Sequence, residues 1–489
     1  VAVKYSFGID FGTTNIAIVA LMNEGHNSKI IRIGDEEGRP IPSVLAVNRE
    51  TGKITFGKEA KEHRFSLNKE CDYIQSIKAF LDEENWERVI AGQKWKPVDV
   101  ANEIFKNICE IINKRLGVEI KEATLSIPIG FNSLKRKVLR LAANANGINV
   151  NDFISEPTAA FFANYPKVSE DNNILVFDWG GGTLDLSLLS NSKNCIFEIE
   201  SIGNPIAGDY IDEMVAKNIH STICKENNVH IPYEELDERT KDLLLVKCEE
   251  AKRNFSISDG EYITINKYHD LGAVNAYLSY DDFALLINQV VDNTINLIDK
   301  LLKKAKTSVK SIDKLILEGG SSNLMPLFKK LDIIFSDKIL MPETTMWNVG
   351  IGVALLSENP GDYICNQFLG VLLSDEEVLP ILEKNIKIKD FEFSCSFALT
   401  DSSEEAQFVF CDSDDLNGAN KEYKPFMVPA YGFMQEKLQL RAEITEDMIF
   451  VANIRSNMRS EEYIREWEYA NLKFYYKVKN LLDRELGID

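Results

Sequence analysis

FGIDFGTTNIAIVAL (residues 7–21) and ILVFDWGGGTLDLSLL (residues 174–189) read as two copies of one device, a strand, a tight turn and a second strand. In the first copy Asp10 closes the apolar run and Gly12, Thr13, Thr14 and Asn15 follow. In the second, Asp178 holds the equivalent place, followed by Gly180, Gly181, Gly182 and Thr183. A repeat separated by most of a domain implies two related halves that face each other across a cleft.

Glycine-rich turns expose successive backbone N–H groups that side chains would shield, and this suits them to phosphate groups. An Asp at the mouth of each turn suits magnesium, which keeps several waters and takes only one or two protein carboxylates. One such turn alone is often nothing more than a hairpin turn. The pairing of two carries the argument, and Asp10 and Asp178 become the candidate metal carboxylates.

Three further stretches carry polar groups that admit two readings each. In FISEPTAAFFAN, Glu156 either favours the N-terminus of a helix opened by Pro157 or faces the cleft as a carboxylate. In LLLVKCEEAKRNFS, Glu249, Lys252, Arg253 and Ser256 recur at helical spacing beside an apolar stripe of Leu244, Cys248, Ala251 and Phe255. That polar stripe is either a solvated surface or a ligand wall. In KLILEGGSSNLMPLF, Gly319, Gly320 and Ser321 either cap a strand-to-helix turn or let a flat base lie against the backbone.

The rest of the chain bounds the answer. Its 489 residues predict two to four domains at roughly 100–200 residues each. Asp and Glu outnumber Lys and Arg by 76 to 55, a formal charge of −21 that repels nucleic-acid backbones. The eight cysteines form no Cys-x-x-Cys pair, and there is no His-Glu-x-x-His and no Gly-x-Ser-x-Gly, so zinc-site and hydrolase-elbow chemistry lack a basis. No apolar run approaches the roughly 20 residues of a membrane helix, and the opening has no secretory pattern, so a cytoplasmic location is expected.

Helical periodicity marks Val100–Leu116, Leu134–Ala145, Ala159–Tyr165, Glu235–Phe255 and Tyr280–Lys306. After Asn359 the pattern turns to strict alternation, with Phe391, Phe393, Cys395, Phe397 and Leu399 on one face and Leu438, Leu440, Ala442 and Ile444 on another. At the end, Tyr463, Trp467, Ala470, Phe474, Val478 and Leu481 step by threes and fours and predict one amphipathic helix.

Taken in order, these motifs resemble the ATPase of the heat shock protein 70 family, the DnaK-type chaperones, over about Tyr5 to Leu356. The resemblance implies an α/β fold: an actin-like, ribonuclease H-like duplicated, two-lobed ATPase over 1–358. A small antiparallel β-sandwich of the peptide-binding kind over 359–458 and a C-terminal helix over 459–489, a truncated lid, would follow. It further implies ATP/ADP and magnesium as ligands, extended polypeptides as clients, and a J-domain co-chaperone and nucleotide-exchange factor as partners, with no nucleic acid and no membrane.

By the same resemblance Lys78, Glu156 and Asp178 are the catalytic set, Lys78 positioning the attacking water, and Asp185 lies just behind. Gly12 to Asn15, Gly180 to Thr183 and Gly208 hold the phosphates, while Glu249, Lys252, Arg253 and Ser256 face Gly319, Gly320, Ser321 and Asn323 across the adenosine. Pro128 and Arg136 match the relay between domains. Several places depart from the pattern: Asn323 stands for an arginine that stacks on the base, Ala207 stands for a glycine, and SENPGDYICNQ replaces the leucine-rich linker. Two alternatives follow from these departures and from the shared core. One is an ATP-dependent switch or scaffold dedicated to one partner, and the other, disfavoured by EPTAA and CEEAKRNFS, is a carbohydrate kinase.

Overall fold

A computed structural model of the chain describes residues 3–24, 27–61, 70–83, 85–192, 195–412, 424–478 and 486–488. They group into two units, one of 1–191, 198–359 and 482–489, the other of 192–197 and 360–481.

In the first unit, strand Lys4–Phe11 pairs antiparallel with Asn15–Glu24, which pairs antiparallel with Asn27–Ile33. On its other edge Lys4–Phe11 pairs parallel with Glu122–Ile127, and that strand pairs parallel with Asn149–Ser155. The second sheet repeats the plan. Asn173–Trp179 is antiparallel to Leu184–Ser192 on one side and parallel to Lys314–Glu318 on the other, with Ile339–Leu340 beyond. This is the duplicated, actin-like arrangement that the paired motifs predict. Ile9, Phe11, Phe177 and Trp179 are fully buried because helices cover these parallel-edged sheets on both faces.

Packing between helices and strands is close enough to demand glycine. A Cβ on Gly352, in helix Asn348–Glu358, would fall 1.9 Å from the carbonyl oxygen of Ala159 in helix Glu156–Ala163. That second helix begins where the sequence predicts a start. Ser155 caps it by accepting from Thr158 N, and Pro157 sits in its first turn where a missing N–H costs nothing.

The second unit holds two four-stranded antiparallel sheets. One runs Val378–Leu382, Leu369–Leu372, Glu405–Cys411, Pro425–Pro429, and the other Glu392–Ala398, Lys437–Ile444, Phe450–Ser456, Arg465–Tyr469. Val371, Ala406 and Phe408 of one and Leu438, Leu440 and Ala442 of the other share a single core, so the unit is a β-sandwich. Phe397 meets Phe408 edge-on across it at 5.1 Å.

The C-terminal helix is a correction. Arg465–Tyr469 and Phe474–Lys477 are strands, the first paired antiparallel with Phe450–Ser456. Arg465-Glu466-Trp467-Glu468-Tyr469 also alternates at period two, and its aromatics suit a pleated surface better than a helix. Trp467 lies flat on Phe410, with ring centroids 3.8 Å apart and 6° between planes, a contact that the helical spacing would forfeit. Leu481, the last residue of that spacing, lies outside the described residues.

Candidate functional site

A cavity of about 710 Å³ opens in the first unit, and both glycine-rich turns line it. The turns confront each other directly. A Cβ on Gly181 would lie 2.7 Å from Thr14 Oγ1, and one on Gly182 would lie 3.3 Å from Thr13 Cγ2. Each turn closes on itself, Gly12 N donating to Asp10 O at 3.1 Å and Gly180 N to Thr183 O at 3.0 Å. Gly208 N donates to Gly180 O, and Lys252 Nζ donates to Gly208 O, so Gly208 braces the second turn from behind rather than lining the cavity. The buried hydroxyl Thr14 Oγ1 has no protein partner.

Acidic groups crowd the inner end. Asp10 and Asp178 close their strands, and Asp185 stands opposite Asp178 in the antiparallel register. Burial pushes the Asp10 carboxyl up to about 6, with Glu156 adding to the rise and Lys78 and the Ser126 hydroxyl at 2.6 Å opposing it. Burial likewise raises Asp185 to about 6, with Glu156 again contributing. Asp178 is driven well above the usual carboxylate range, by burial first and then by Glu156, Asp185 and Asp10. Among the described residues Lys78 is the cation set against this, its Nζ donating to Glu156 Oε1 at 2.7 Å. Lys78 is carried by a single helical turn, Ile77–Phe80, after Ser76 in the left-handed region at φ 58°.

The other end of the cavity is built by helix Glu238–Asn254 and the turn Gly320–Asn323. Glu249 accepts from Lys61 Nζ at 2.8 Å and pairs with Arg253. Burial would raise its pKa, but Lys61 and Arg253 prevail and hold it low. Lys252 pairs with the buried Asp212 at 2.7 Å. Gly319, at φ +76°, brings the chain so close that a Cβ would sit 2.5 Å from Trp179 O. Beyond it, Asn323 Nδ2 donates to Thr345 Oγ1 at 3.0 Å.

All the candidate site residues read from the sequence, Gly208 excepted, therefore line one cavity. Sequence reasoning missed Lys61, Asp209, Asp212 and the methionines at the rim. Asp209 and Asp212 sit one turn apart on helix Gly208–Glu226, just after Ala207 and Gly208, and that spacing is a signal the sequence offers. Lys61 had none, since its partner is distant in the chain. Glu318, to which the sequence assigns no role, is fully buried, receives a hydrogen bond from Asn348 Nδ2 and lies beside Asp178 in the parallel register.

A family model described as Hsp70 protein matches residues 73–341, more than half of the 489. The match takes in Lys78, Glu156, the second glycine turn and both walls of the outer end. The first turn, Gly12–Asn15, precedes it and is tied to the rest by the duplicated topology and by its contact with Gly181.

Proposed function

The chain belongs to the Hsp70 protein family, a family of ATP-binding chaperones whose members are ATPases, and on that premise we propose that it hydrolyses ATP and holds extended polypeptide segments under nucleotide control. The carrying observation is the confrontation of Thr13 and Thr14 with Gly181 and Gly182 over a bed of half-buried carboxylates. We assign nucleotide handling to 1–358 and polypeptide contact to the sandwich that begins at 359.

The residues fit a magnesium–nucleotide complex. Asp10 and Asp178 would hold the ion, and their raised pKa values reflect burial first and neighbouring negative charge second, a strain that a cation would relieve. Bound magnesium supplies positive charge against the phosphate oxygens.

The chain's own residues do the remainder. Backbone N–H groups of the two turns and the Thr13, Thr14 and Thr183 hydroxyls surround the phosphates, with Thr14 Oγ1 free to join them. Lys78 faces the γ-phosphate and the attacking water, while Glu156 and Asp178 accept that water's hydrogens. The new P–O bond forms in line as the bond to the β-phosphate oxygen breaks. Glu249, Lys252, Arg253 and Ser256 on one wall and Gly319 to Asn323 on the other hold the adenosine. All eight cysteines are free thiols, which supports a reducing, cytoplasmic setting. Among the described residues no helix is long and apolar enough to cross a membrane.

ATPase turnover, measured alone, with an unstructured peptide and with a panel of sugars, tests the reading. Stimulation by peptide is the expected result. Sugar-dependent ADP release would make the chain a kinase, and turnover indifferent to both would point to a switch for a single partner.

A further inference from the structure

A second, smaller cavity of about 100 Å³ lies against the inner end of the first. Pro128, Glu156, Asp178 and Asp185 line both, so these four residues are the partition between them. Alternation along the two central strands of the second sheet explains how the acids come to face it. Phe177, Trp179 and Leu184 point into the hydrophobic core, while Val176, Asp178, Asp185 and Ser187 fall on the opposite face, Asp178 across from Asp185 and Val176 from Ser187. The neighbouring strand Cys195–Asn204 contributes Ser201 and Gly203. Ser187 is buried, Ser201 half-buried and Gly203 exposed, so the cavity runs from the surface inward to the acids.

This lining suits water. The volume of about 100 Å³ far exceeds the roughly 10–15 Å³ that one ordered water requires, and the Ser187 and Ser201 hydroxyls and three carboxylates offer it polar partners. It does not suit phosphate, since Glu156, Asp178 and Asp185 at the inner end repel a dianion. In-line displacement sets the attacking water on the side of the γ-phosphate away from the leaving oxygen. With the phosphates seated between the two turns that side is the acid bed, and the phosphate itself shuts it off from the main opening.

We propose that this side cavity is the supply line for the attacking water, carrying solvent from the surface at Gly203 past Ser201 and Ser187 to Glu156 and Asp178 while the nucleotide fills the main cavity. The proposal rests on the reading that the chain hydrolyses ATP, and it adds where the second reactant enters. Ser187, Ser201 and Gly203 are positioning residues: they shape the route, and none of them lines the nucleotide's cavity.

Single-turnover hydrolysis and phosphate release, timed separately on the full chain with magnesium ATP, test it. Ser201→Leu fills the passage from its side, and Gly203→Val fills it at its mouth, where a Cβ would already lie 3.1 Å from Asp185 Oδ1. Each should slow hydrolysis by about ten- to a hundredfold, the effect of a misplaced reactant. ADP affinity should stay within about twofold of the wild type, and Ser201→Ala, which keeps the passage open, should hydrolyse within about twofold of it. ADP affinity identifies a variant whose main cavity is damaged, and the other filled variant then decides. Hydrolysis at the wild-type rate in either filled variant that retains ADP affinity overturns the proposal, because the water then arrives by another path. Equal slowing in Ser201→Ala and Ser201→Leu overturns it too, since the hydroxyl rather than the opening would matter. So does unchanged hydrolysis with delayed phosphate release, which would make the cavity a product exit. A wild type that binds ADP yet hydrolyses no ATP is a separate result, which removes the ATPase reading and the supply line with it.

Discussion

Lys78 Nζ lies 2.7 Å from Glu156 Oε1, and the two side chains are only 6% and 13% exposed. Burial alone would lower the lysine's pKa, but Glu156 and Asp10 outweigh it and keep the ammonium charged. It is the cation placed among the carboxylates of the inner end, where phosphate charge would develop.

Lys78→Ala should lower single-turnover hydrolysis by about 10²–10³-fold, because the charge acts on the reacting phosphate. ADP affinity, set by the turns and the outer walls, should change little. Unchanged turnover would take Lys78 out of the reaction. Glu156→Gln, which keeps the shape and removes the charge, should slow hydrolysis while sparing binding.

Asp10 and Asp185 carry pKa values of about 6 in the folded protein against 3.8 for an ordinary Asp. A folded pKa above the unfolded one adds stability that is complete below the unfolded value and is lost as pH rises through the folded value. The ligand-free protein should therefore lose stability between about pH 4 and pH 6.5, by about 3 kcal/mol for each shift of this size. Magnesium ADP acts in the opposite sense, since it needs the ionised carboxylates. Its thermal stabilisation should grow from pH 5 to pH 7.5, and a flat response in differential scanning calorimetry would contradict the assignment of these groups.

Asp178→Asn removes a half-buried carboxylate that Glu156, Asp185 and Asp10 repel. At pH 8 the ligand-free variant should be more stable than the wild type by about 1–3 kcal/mol, while the extra stabilisation by magnesium over ADP alone should vanish. Urea denaturation with and without metal reads both effects.

Lys61 and Glu249 bridge the two halves of the first unit with side chains 33% and 20% exposed. A pair this open contributes little, about 0.2–1 kcal/mol, so Lys61→Ala should speed release of a fluorescent ADP by about two- to fivefold at low salt. Raising the salt should shrink the difference. A salt-independent effect would mean that Lys61 acts through packing.

Trp467→Ala should destabilise the sandwich by about 3 kcal/mol through loss of the stack on Phe410. The same substitution on an isolated amphipathic helix would cost far less. Thermal melting of the full chain, with loss of near-ultraviolet circular dichroism from the stacked rings, separates the two.

Much of the site was legible because its chemistry is local. An Asp closing a strand, followed by glycines and threonines, is readable wherever it occurs, and its second occurrence announced the duplication. The alternation in residues 391–399 and 438–444 marks strands for the same reason, since a period is a short-range property, while the sandwich itself came only from the family resemblance. What could not be read depends on partners remote in the chain. Lys61 with Glu249, Lys252 with Asp212, and Glu318 with Asn348 are ordinary charged or polar residues until folding brings them together. The segment after Ile464 misled because its aromatics satisfy two periods at once. Pairing with Phe450–Ser456, a neighbour that spacing alone does not reveal, decided between them.

The contact between Thr14 and Gly181 joins two loops contributed by separate copies of one folding unit. A polyphosphate lodged there works as a removable clasp, fastening the early part of the polypeptide to its middle. Severed halves of the chain, each able to shape its own hairpin, should therefore have little grip on the ligand until mixed, and the ligand should promote their reassembly.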